Sequence, residues 1–332
     1  MISKKILFVS VSEKSASTRY RALNYFSHLR HAGWQPEHFA VRQNPFRRAL
    51  LLKQAAEADA VVVLRKTFSG FYPKLLRSAA KILIFDFDDA IFMHSNCEPS
   101  RTRMKRFARL VEVCDQVWAG NGYLAESAKP YNPAVATLAT SINPEEYDSA
   151  LAKPANTIDL VWIGSSSTKK YLFELIPALE SLNRKVVNLR LKIIADFTVS
   201  TSKLRVTPVA WSPEIEAREL ASSHIGIAPI PDDAWTRGKC GLKVLQYMAA
   251  GLPVVASPCG VQTDMVQHGV SGLLARSLDE WHSALLSLAS DFALRKKMGE
   301  AGMQRVTRHF STDATFARMI SSLDALLEPR GA

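Results

Sequence analysis

Hydrophobic and polar positions along the chain alternate between short apolar runs and amphipathic stretches. The apolar runs predict buried strands at residues 6–11, 60–64, 82–87, 117–119, 158–163, 189–195, 225–228 and 252–256. The amphipathic stretches predict helices at residues 20–32, 124–128, 170–182, 214–222, 278–288, 292–309 and 314–327, with one more from Leu242 to Gly251. This alternation is typical of βαβ units and predicts parallel sheets.

Residues 143–157 interrupt the alternation with prolines and polar residues, which indicates a linker. We therefore predict two successive doubly wound domains, residues 1–150 and 151–312. A final helix within residues 313–332 is expected to pack back toward the first domain. In such sheets, ligands bind beyond the carboxyl ends of the strands.

Composition adds a strong positive charge to this picture. The 332 residues carry a net charge of +11, of which +7 lies in residues 1–150. Such an excess indicates an anionic partner, which includes nucleic acid, an acidic lipid surface or a phosphorylated substrate. The four cysteines form no CxxC pair, and no apolar stretch approaches the ~20 residues that span a bilayer, so a cytoplasmic location is expected.

The segment RGKCGLKVLQYMAAGLPVVAS at residues 237–257 places glycines and cations directly before a helix and a strand. The first N–H groups of a helix lack intrahelical partners and carry partial positive charge. Glycine at 238 and 241 lets a ligand approach the backbone, and Lys239 and Lys243 add full charges. The pattern indicates a phosphate-binding site, and its alternative is a glycine turn with solvated lysines.

Three carboxylates, Asp86, Asp88 and Asp89, follow or end an apolar strand in FDFDDAIF. Buried unpaired carboxylates are costly, so the cluster is a candidate for orienting acceptor hydroxyls, acting as a base or binding a cation. The alternative is ion pairing with nearby arginines. His94, in the following loop, is a weaker candidate for acceptor binding.

The stretch GLKVLQYMAAGLPVVASPCGVQTDMVQHGVSGLL resembles the donor-binding segment of glycosyltransferase family 4, whose members are retaining enzymes of the GT-B fold. The resemblance extends through LVWIGSSSTKKYLFELIPAL and LRKKMGEAGMQRVTRHFS, and more weakly through STRYRALNYFSHLRHAGW near the N-terminus. It implies two Rossmann-like domains that face each other across a cleft, with the donor bound by the second domain and the acceptor by the first.

The resemblance also implies residue roles. The family has two glutamates, one at the donor sugar and one at the ribose; here their positions hold Gly238 and Gln246. Gln246 keeps hydrogen-bonding capacity without charge, and Gly238 keeps only backbone. By the same resemblance, donor-binding residues are Gly164, Ser165, Lys169, Lys239, Gly241, Leu242, Lys243 and Gln246.

A cation after the first strand of the second domain neutralises the leaving diphosphate in the family. The usual arginine is replaced by Ser165, so Lys170, with Lys169 as an alternative, is the predicted leaving-group cation. Lys170, Asp88 and Asp89 are thus the predicted catalytic residues. The ordinary alternative for this loop is a capped helix start with two exposed lysines.

Two basic segments of the first domain are further candidates. Arg19 and Arg21 follow the first strand, where either is a candidate to bind an anionic acceptor or the donor phosphate; the alternative is surface arginines at a helix start. Residues 101–110, SRTRMKRFARL from Ser100 onward, form a basic amphipathic pattern that suits an anionic membrane or a lipid-linked acceptor. An amphipathic helix packed on its own domain is the alternative.

The resemblance implies transfer of a sugar from a nucleotide-diphosphate sugar to a hydroxyl of a glycan or lipid-linked acceptor, in cell-surface polysaccharide or lipopolysaccharide assembly. No metal and no cofactor are expected. A peripheral position on the inner face of the plasma membrane is an additional expectation. A non-catalytic binder of nucleotide sugars or glycans is the alternative, and nucleic-acid binding is disfavoured because no matching motif is present.

Overall fold

The computed structural model describes residues 4–41, 44–147 and 150–328. Within them the chain forms two compact units. The first unit comprises residues up to 141, residues 233–240 and residues from 312 onward; the second comprises residues 142–232 and 241–311. Residues 233–240 therefore belong to the first unit although the strands of the second unit precede and follow them.

The first unit is built on a six-stranded parallel sheet with the order β2-β1-β3-β4-β5-β6. Its strands are β1 (Lys4–Ser10), β2 (Trp34–Ala40), β3 (Ala60–Leu64), β4 (Leu83–Phe87), β5 (Gln116–Ala119) and β6 (Val135–Thr137). Its first six helices are α1 (Ala16–Arg21), α2 (Phe26–His31), α3 (Pro45–Glu57), α4 (Tyr72–Ala79), α5 (Arg101–Val111) and α6 (Gly122–Ala128). The sequence AVVVL of β3 is buried throughout, as expected for a parallel strand covered on both faces.

Side chains of β4 alternate between two apolar cores. Phe85 and Phe87 stack on each other at 5.3 Å and meet Phe107 of α5 on one face of the sheet. Ile84 packs on the other face with Trp118. Because alternate residues of a strand point to opposite faces, Asp86 shares the face of Ile84.

The second unit contains a separate six-stranded parallel sheet with the order β12-β11-β10-β7-β8-β9. Its strands are β7 (Ile158–Ile163), β8 (Leu189–Ala195), β9 (Arg205–Ala210), β10 (Ile225–Ala228), β11 (Val254–Ala256) and β12 (Gly272–Leu274). Its helices are α7 (Lys169–Leu182), α8 (Pro213–Ala221), α9 (Leu242–Ala249), α10 (Val261–Met265), α11 (Leu278–Ser290) and α12 (Phe292–His309). The two-domain, doubly wound prediction is confirmed by these sheets.

The last helix, α13 (Thr312–Leu327), is part of the first unit. Met319 and Leu323 are fully buried in the core that contains Trp118. The indole Nε1 of Trp118 also donates a hydrogen bond to the Ser322 hydroxyl at 3.0 Å. The chain thus returns to its first sheet after completing the second.

Several predicted boundaries change in the structure. The predicted helix over residues 20–32 is instead two short helices, α1 and α2, joined by a 3-10 turn at Leu23–Tyr25. The predicted linker at residues 143–157 includes residues 148–149, which lie outside the described residues, as do residues 329–332 of the predicted final segment. None of the described helices is both long and apolar enough to cross a membrane.

Candidate functional site

The strand order defines a crevice in the second sheet. From β7 the chain proceeds to β8 on one side and later to β10 on the other, so β7 and β10 flank the topological switch point. Ligands of open α/β sheets bind outside the carboxyl ends of the strands at such a point. The loop after β7 and helix α9, which follows β10, both begin at this edge.

Helix α9 begins from an unusual backbone conformation. Gly241 precedes it with φ of 68°, in the left-handed region, and no side chain caps the helix start. A Cβ at Gly241 would stand 2.5 Å from the sulfur of Met265, so a larger residue would displace Met265 and strain the left-handed backbone. The first N–H groups of α9 are consequently not covered by a capping side chain, and the helix dipole places partial positive charge there.

Lys243, in the first turn of α9, reaches the loop that follows β7. Its Nζ lies 4.0 Å from the ring centroid of Trp162 and 3.4 Å from the Thr168 hydroxyl, to which it donates a hydrogen bond. A Cβ at Gly164 would stand 2.8 Å from the same Nζ. We call residues 164–168 with residues 241–243 the phosphate cradle, because it combines a helix start, a fixed ammonium group and, at Gly164, a backbone that the Trp162 ring and this ammonium approach closely.

Asp196 holds the 164–168 loop in place. The Ser166 backbone N–H and hydroxyl both donate to the Asp196 carboxylate, at 2.7 and 2.9 Å. These bonds lower the pKa of Asp196. The neighbouring Ser165 hydroxyl is exposed and bonds to that of Ser167 at 2.8 Å.

The two lysines at the start of α7 lie at the surface. Lys169 and Lys170 are both exposed, and the Nζ of Lys170 lies 5.0 Å from the Tyr171 ring centroid. The cation that contacts the loop directly is Lys243, through Thr168. The role of Lys170 as leaving-group cation stays a prediction, whereas the geometry favours Lys243 as the cation fixed within the phosphate cradle.

Two further predicted donor residues lie on α9. Leu242 is half-buried at its start. The side chain of Gln246 is only 3% exposed, one turn further along the helix. The predicted contact between Gln246 and the ribose stays a prediction. Because Gln246 is buried, only a ligand group that reaches the surface of α9 could contact its side chain.

In the first unit, Asp86 and Arg21 form a buried ion pair. The Arg21 Nε and Nη2 donate to the two Asp86 carboxylate oxygens at 2.9 and 2.5 Å, and Nη1 donates to the Leu138 carbonyl. The Asp86 side chain is 0% exposed and the Arg21 side chain is 2% exposed. Burial raises the pKa of Asp86 against the opposing effect of Arg21, while Asp86 outweighs the burial of Arg21 and raises its pKa. These two candidates for acceptor binding bind each other and link α1 to β4.

Asp88 and Asp89 lie just beyond the carboxyl end of β4 and face two cations. Arg65 Nε is 3.2 Å from the Asp88 carboxylate, and Arg65 Nη2 donates to Asp89 at 2.9 Å. Lys239 Nζ lies 3.1 Å from both Asp89 oxygens and 4.5 Å from the Trp235 ring. Burial raises the pKa of Asp89, and Lys239 and Arg65 oppose that rise. We call Asp88, Asp89, Arg65 and Lys239 the aspartate cluster.

Arg65 was missed by the sequence-based predictions. It follows β3 directly, has a φ of 53° and donates to the Ser17 hydroxyl at 2.5 Å. In this sheet β1 and β3 flank the switch point, since the chain turns from β1 to β2 and then to the other side. A cation directly after the buried strand AVVVL was the available signal, because ligand-binding residues collect at that edge.

The segment that carries Lys239 is fixed against the strand ends of the first sheet. The Asn121 side-chain amide donates to the Arg237 and Lys239 carbonyls at 3.2 and 3.0 Å. A Cβ at Gly120 would stand 2.4 Å from the Cys240 sulfur, so the Cys240 side chain packs directly on the Gly120 backbone. Residues 237–240 therefore bring Lys239 to the aspartate cluster. The predicted donor-binding role of Lys239 stays a prediction.

Arg19 and His94 lie outside the aspartate cluster. The Arg19 guanidinium stacks on the Tyr20 ring at 5.0 Å. The half-buried His94 lies in a loop closed by a bridge between Met93 and Pro99, and its carbonyl accepts from the Cys97 N–H at 3.0 Å. Their acceptor-binding roles stay predictions. Among the described residues, no group of three or more His, Cys, Asp or Glu side chains is arranged to hold a metal ion.

Comparison with known proteins adds evidence about family and fold. Residues 157–291, which include the whole phosphate cradle, match the family model described as glycosyl transferases group 1. A curated relative is the GDP-mannose-dependent alpha-(1-6)-phosphatidylinositol monomannoside mannosyltransferase of Mycobacterium tuberculosis, with 28% identity over 164 residues. The match covers 45% of this chain and 43% of the relative, so the chain matches less than half of that protein's length.

Solved structures resemble nearly the whole chain. A glycosyltransferase from Rickettsia africae aligns with a TM-score of 0.75 and 15% identity, covering 98% of this chain and 99% of its own. HepE from Anabaena, solved in complex with UDP and glucose, aligns with a TM-score of 0.74 and 14% identity over 97% of this chain and 100% of its own. At this level of identity, the likeness establishes the fold.

Proposed function

We propose that this chain of the GT-B fold, which resembles glycosyltransferase family 4 and whose residues 157–291 match the group 1 glycosyl transferase model, transfers a sugar from a nucleotide-diphosphate sugar to an acceptor hydroxyl. The acceptor is a glycan or a lipid-linked glycan of cell-surface polysaccharide or lipopolysaccharide assembly. The mycobacterial relative, named as acting on a phosphatidylinositol mannoside, supports this acceptor class. The protein is proposed to work in the cytoplasm.

The observation that carries this proposal is the contact of Lys243 with the loop after β7. It places an ammonium group next to the loop after β7 and on the first turn of a helix whose start no side chain caps, at a switch point. This arrangement suits a diphosphate, because its oxygens accept from backbone N–H groups while the ammonium group neutralises part of its charge. We assign the diphosphate of the donor to the phosphate cradle.

The reaction follows from that assignment. The bond between the anomeric carbon and the phosphate oxygen breaks, and its electron pair leaves with the nucleoside diphosphate. The acceptor oxygen bonds to the anomeric carbon and loses its proton to a base. Lys243 and the α9 start stabilise charge that grows on the leaving group, and preorganised groups of this kind contribute most of many rate enhancements. We propose retained configuration and no metal requirement, as in the family that the chain resembles.

For the acceptor we propose the aspartate cluster. Asp88 and Asp89 are carboxylates at the carboxyl ends of the first sheet, held by Arg65 and Lys239. The raised pKa of Asp89 makes that carboxyl a better proton acceptor than an ordinary aspartate. These groups would orient an acceptor hydroxyl and take its proton.

The donor assignment is tested by thermal unfolding with UDP, GDP, ADP and CMP at millimolar concentration. A nucleotide at 100 times its dissociation constant stabilises the protein by about 2.7 kcal/mol. Lys243→Met should abolish most of this shift, whereas Lys297→Met, which removes an exposed lysine of α12, should leave it unchanged. Absence of any shift in the wild-type protein would contradict the donor site.

Catalysis is tested with the nucleotide sugar that binds. We expect slow hydrolysis without acceptor, unaltered by excess EDTA, and transfer to glycan acceptors with the anomeric configuration retained by NMR. Asp88→Asn should depress transfer and leave diphosphate affinity intact. A protein that binds the nucleotide sugar tightly and never turns it over would instead be a non-catalytic binder.

We also propose peripheral contact with an anionic membrane, through α3, α4 and α5. The apolar side of α5 is buried through Phe107 and Leu110, so this helix offers its basic side alone. Phe46 and Phe71 are 84% and 80% exposed. Arg48 of α3 stacks on Tyr72 of α4 at 5.5 Å, which joins the two helices.

The charge of this surface is concentrated. Burial lowers the pKa of Lys66, and the neighbouring Arg48 of α3 and Arg106 of α5 lower it further. Exposed aromatic groups within a basic surface suit the interface of an acidic bilayer. We therefore expect the protein to bind bilayers that contain acidic lipids more tightly than bilayers of neutral lipids.

Cosedimentation with liposomes tests this contact. Binding to liposomes that contain phosphatidylglycerol should decrease with salt, with the triple replacement of Arg103, Lys105 and Arg106 by glutamine, and with Phe46→Ser combined with Phe71→Ser. Val187→Ser, which changes an exposed valine of the second unit, is the matched control. Equal binding to neutral and acidic liposomes, or none, would overturn the proposal.

A further inference from the structure

A cavity of about 660 Å³ lies in the second unit, apart from the phosphate cradle. It is lined by Ile158, the first residue of β7, by His224, which precedes β10, and by Pro253, which precedes β11. These three strands are neighbours in the sheet, so the cavity lies at their amino ends. The phosphate cradle lies at the opposite, carboxyl ends.

Helix α9 runs between the phosphate cradle and the cavity. The helix begins at Gly241 in the phosphate cradle, and Gly251, just beyond its end, lines the cavity. Helix α12 packs directly on this end, since a Cβ at Gly299 would stand 2.1 Å from the Gly251 carbonyl oxygen. The cavity is therefore a distinct feature, with α12 as one wall.

Two cations line the cavity without carboxylate partners. Lys153 Nζ donates to the Ser223 carbonyl at 2.7 Å, and Arg295 Nη1 donates to the Leu288 and Ala289 carbonyls at 2.6 and 2.9 Å. Among the described residues, neither forms an ion pair with an aspartate or glutamate. Both side chains keep N–H donors beyond these bonds, because an ammonium has three and a guanidinium five.

The electrostatic surroundings of these two cations are unfavourable to their charge. Burial, then the neighbouring Arg295 and Lys192, lower the pKa of Lys153 to about 8. Burial also lowers the pKa of Arg295, against the opposing effect of Asp291. His224, in the same lining, has a pKa lowered to about 4 by burial and is neutral at pH 7. An anion placed here would relieve the repulsion among the cations.

The rest of the lining is mostly apolar. Phe292 and Met303 of α12 contribute, together with Pro154 and Pro253. Lys296 and Glu300 also line the cavity and lie 4.0 Å apart on the outer part of α12. An apolar pocket with a few convergent polar groups is the usual form of a small-molecule site.

From this juxtaposition we infer that the cavity binds an amphiphilic anion, whose phosphate or carboxylate group contacts Lys153 and Arg295 and whose apolar body packs between Phe292, Met303 and the two prolines. This inference does not depend on the proposed transfer activity. The proposed ligand is a second one, bound at the amino ends of the strands, whereas the phosphate cradle lies at their carboxyl ends.

Isothermal titration calorimetry with 1-naphthyl phosphate tests the inference. The protein should bind it at least tenfold more tightly than either inorganic phosphate or 1-naphthol, since each of these supplies only one part of the ligand. Saturating UDP should not displace it. Failure of UDP to bind at all would leave this result unchanged, so the two proposals fail separately.

Variants identify the site. Lys153→Gln and Arg295→Gln should each weaken binding at least tenfold, while Lys297→Gln, which removes the same charge from an exposed position of α12, should not. Because Arg295 also bonds the end of α11, Met303→Trp, which fills the cavity and leaves Arg295 in place, provides a second measurement. No binding to the wild type, displacement by UDP, or affinity unchanged in both Lys153→Gln and Met303→Trp would overturn the inference.

Discussion

Gly238 lies so close to Ala90 that a Cβ at position 238 would stand 2.7 Å from the Cβ of Ala90 and 3.0 Å from its backbone nitrogen. In the family that the chain resembles, this position holds a glutamate. Here the backbone of residues 237–240 is packed on the residues that follow β4, and no side chain fits at 238. The nearby charged group is instead Lys239, bonded to Asp89.

We expect Gly238→Ala to destabilise the protein by about 1–3 kcal/mol, the usual cost of forcing an extra group into a packed site. Urea unfolding measures the change. Gly122→Ala is the matched control, since a Cβ there meets nothing within 4 Å. Adding Ala90→Gly to Gly238→Ala should recover part of the loss, and equal stability of the two alanine variants would contradict the packing argument.

Removal of one partner of the buried Arg21–Asp86 pair should be strongly destabilising. Arg21→Met leaves a buried carboxylate without its cation, which typically costs about 3–5 kcal/mol. The free energy of unfolding in urea gives the value. The double variant Arg21→Met with Asp86→Leu should recover most of it, because no buried charge remains; a double variant as unstable as the single one would show that the charge is not the cause.

Gly164→Ala should weaken nucleoside diphosphate binding at least tenfold. The new Cβ would stand 2.3 Å from the Trp162 ring and 2.8 Å from Lys243 Nζ, so it displaces the ammonium that the phosphate cradle uses. Calorimetric titration with the nucleotide that binds best provides the measurement. If affinity is retained while Lys243→Met abolishes it, the Gly164 backbone is not part of the diphosphate site.

Stability should fall as the pH decreases from about 6.5 to 4, in part because of His224. Its Nδ1 accepts from the Asp159 backbone N–H at 3.0 Å, and burial lowers its pKa to about 4, despite the nearby Asp159 carboxylate. Within this window the unfolded chain binds a proton at His224 and the folded chain does not. The contribution of His224 to the slope stays below about 1.4 kcal/mol per pH unit, because a single group takes up at most one proton.

His224→Asn tests this dependence, since asparagine can still accept the bond but does not titrate. Unfolding free energies at pH 7, 6 and 5 should decrease less steeply in the variant than in the wild type. Parallel curves for the two proteins would mean that His224 is protonated equally in the folded and unfolded states.

The strands that the sequence predicted correctly are those buried on both faces. Residues 60–64, 158–163, 189–195 and 225–228 match β3, β7, β8 and β10 in full. The missed strands include β2 and β9, which contain Pro36 and Pro208 and form sheet edges. Proline interrupts the apolar pattern and is tolerated at an edge, where one side of the strand needs no hydrogen bonds.

The sequence by itself determined two doubly wound parallel sheets, because apolar periodicity is a local property. It also predicts a phosphate-binding site at the start of α9, since the glycine–cation–helix pattern is local as well. Only the tertiary structure decided which charges meet. It paired Arg21 with Asp86, brought Arg65 and Lys239 to Asp89, and set Lys243 beside Thr168. These contacts join residues up to 150 positions apart, and the sheet order that brings them together is fixed by packing across the whole fold.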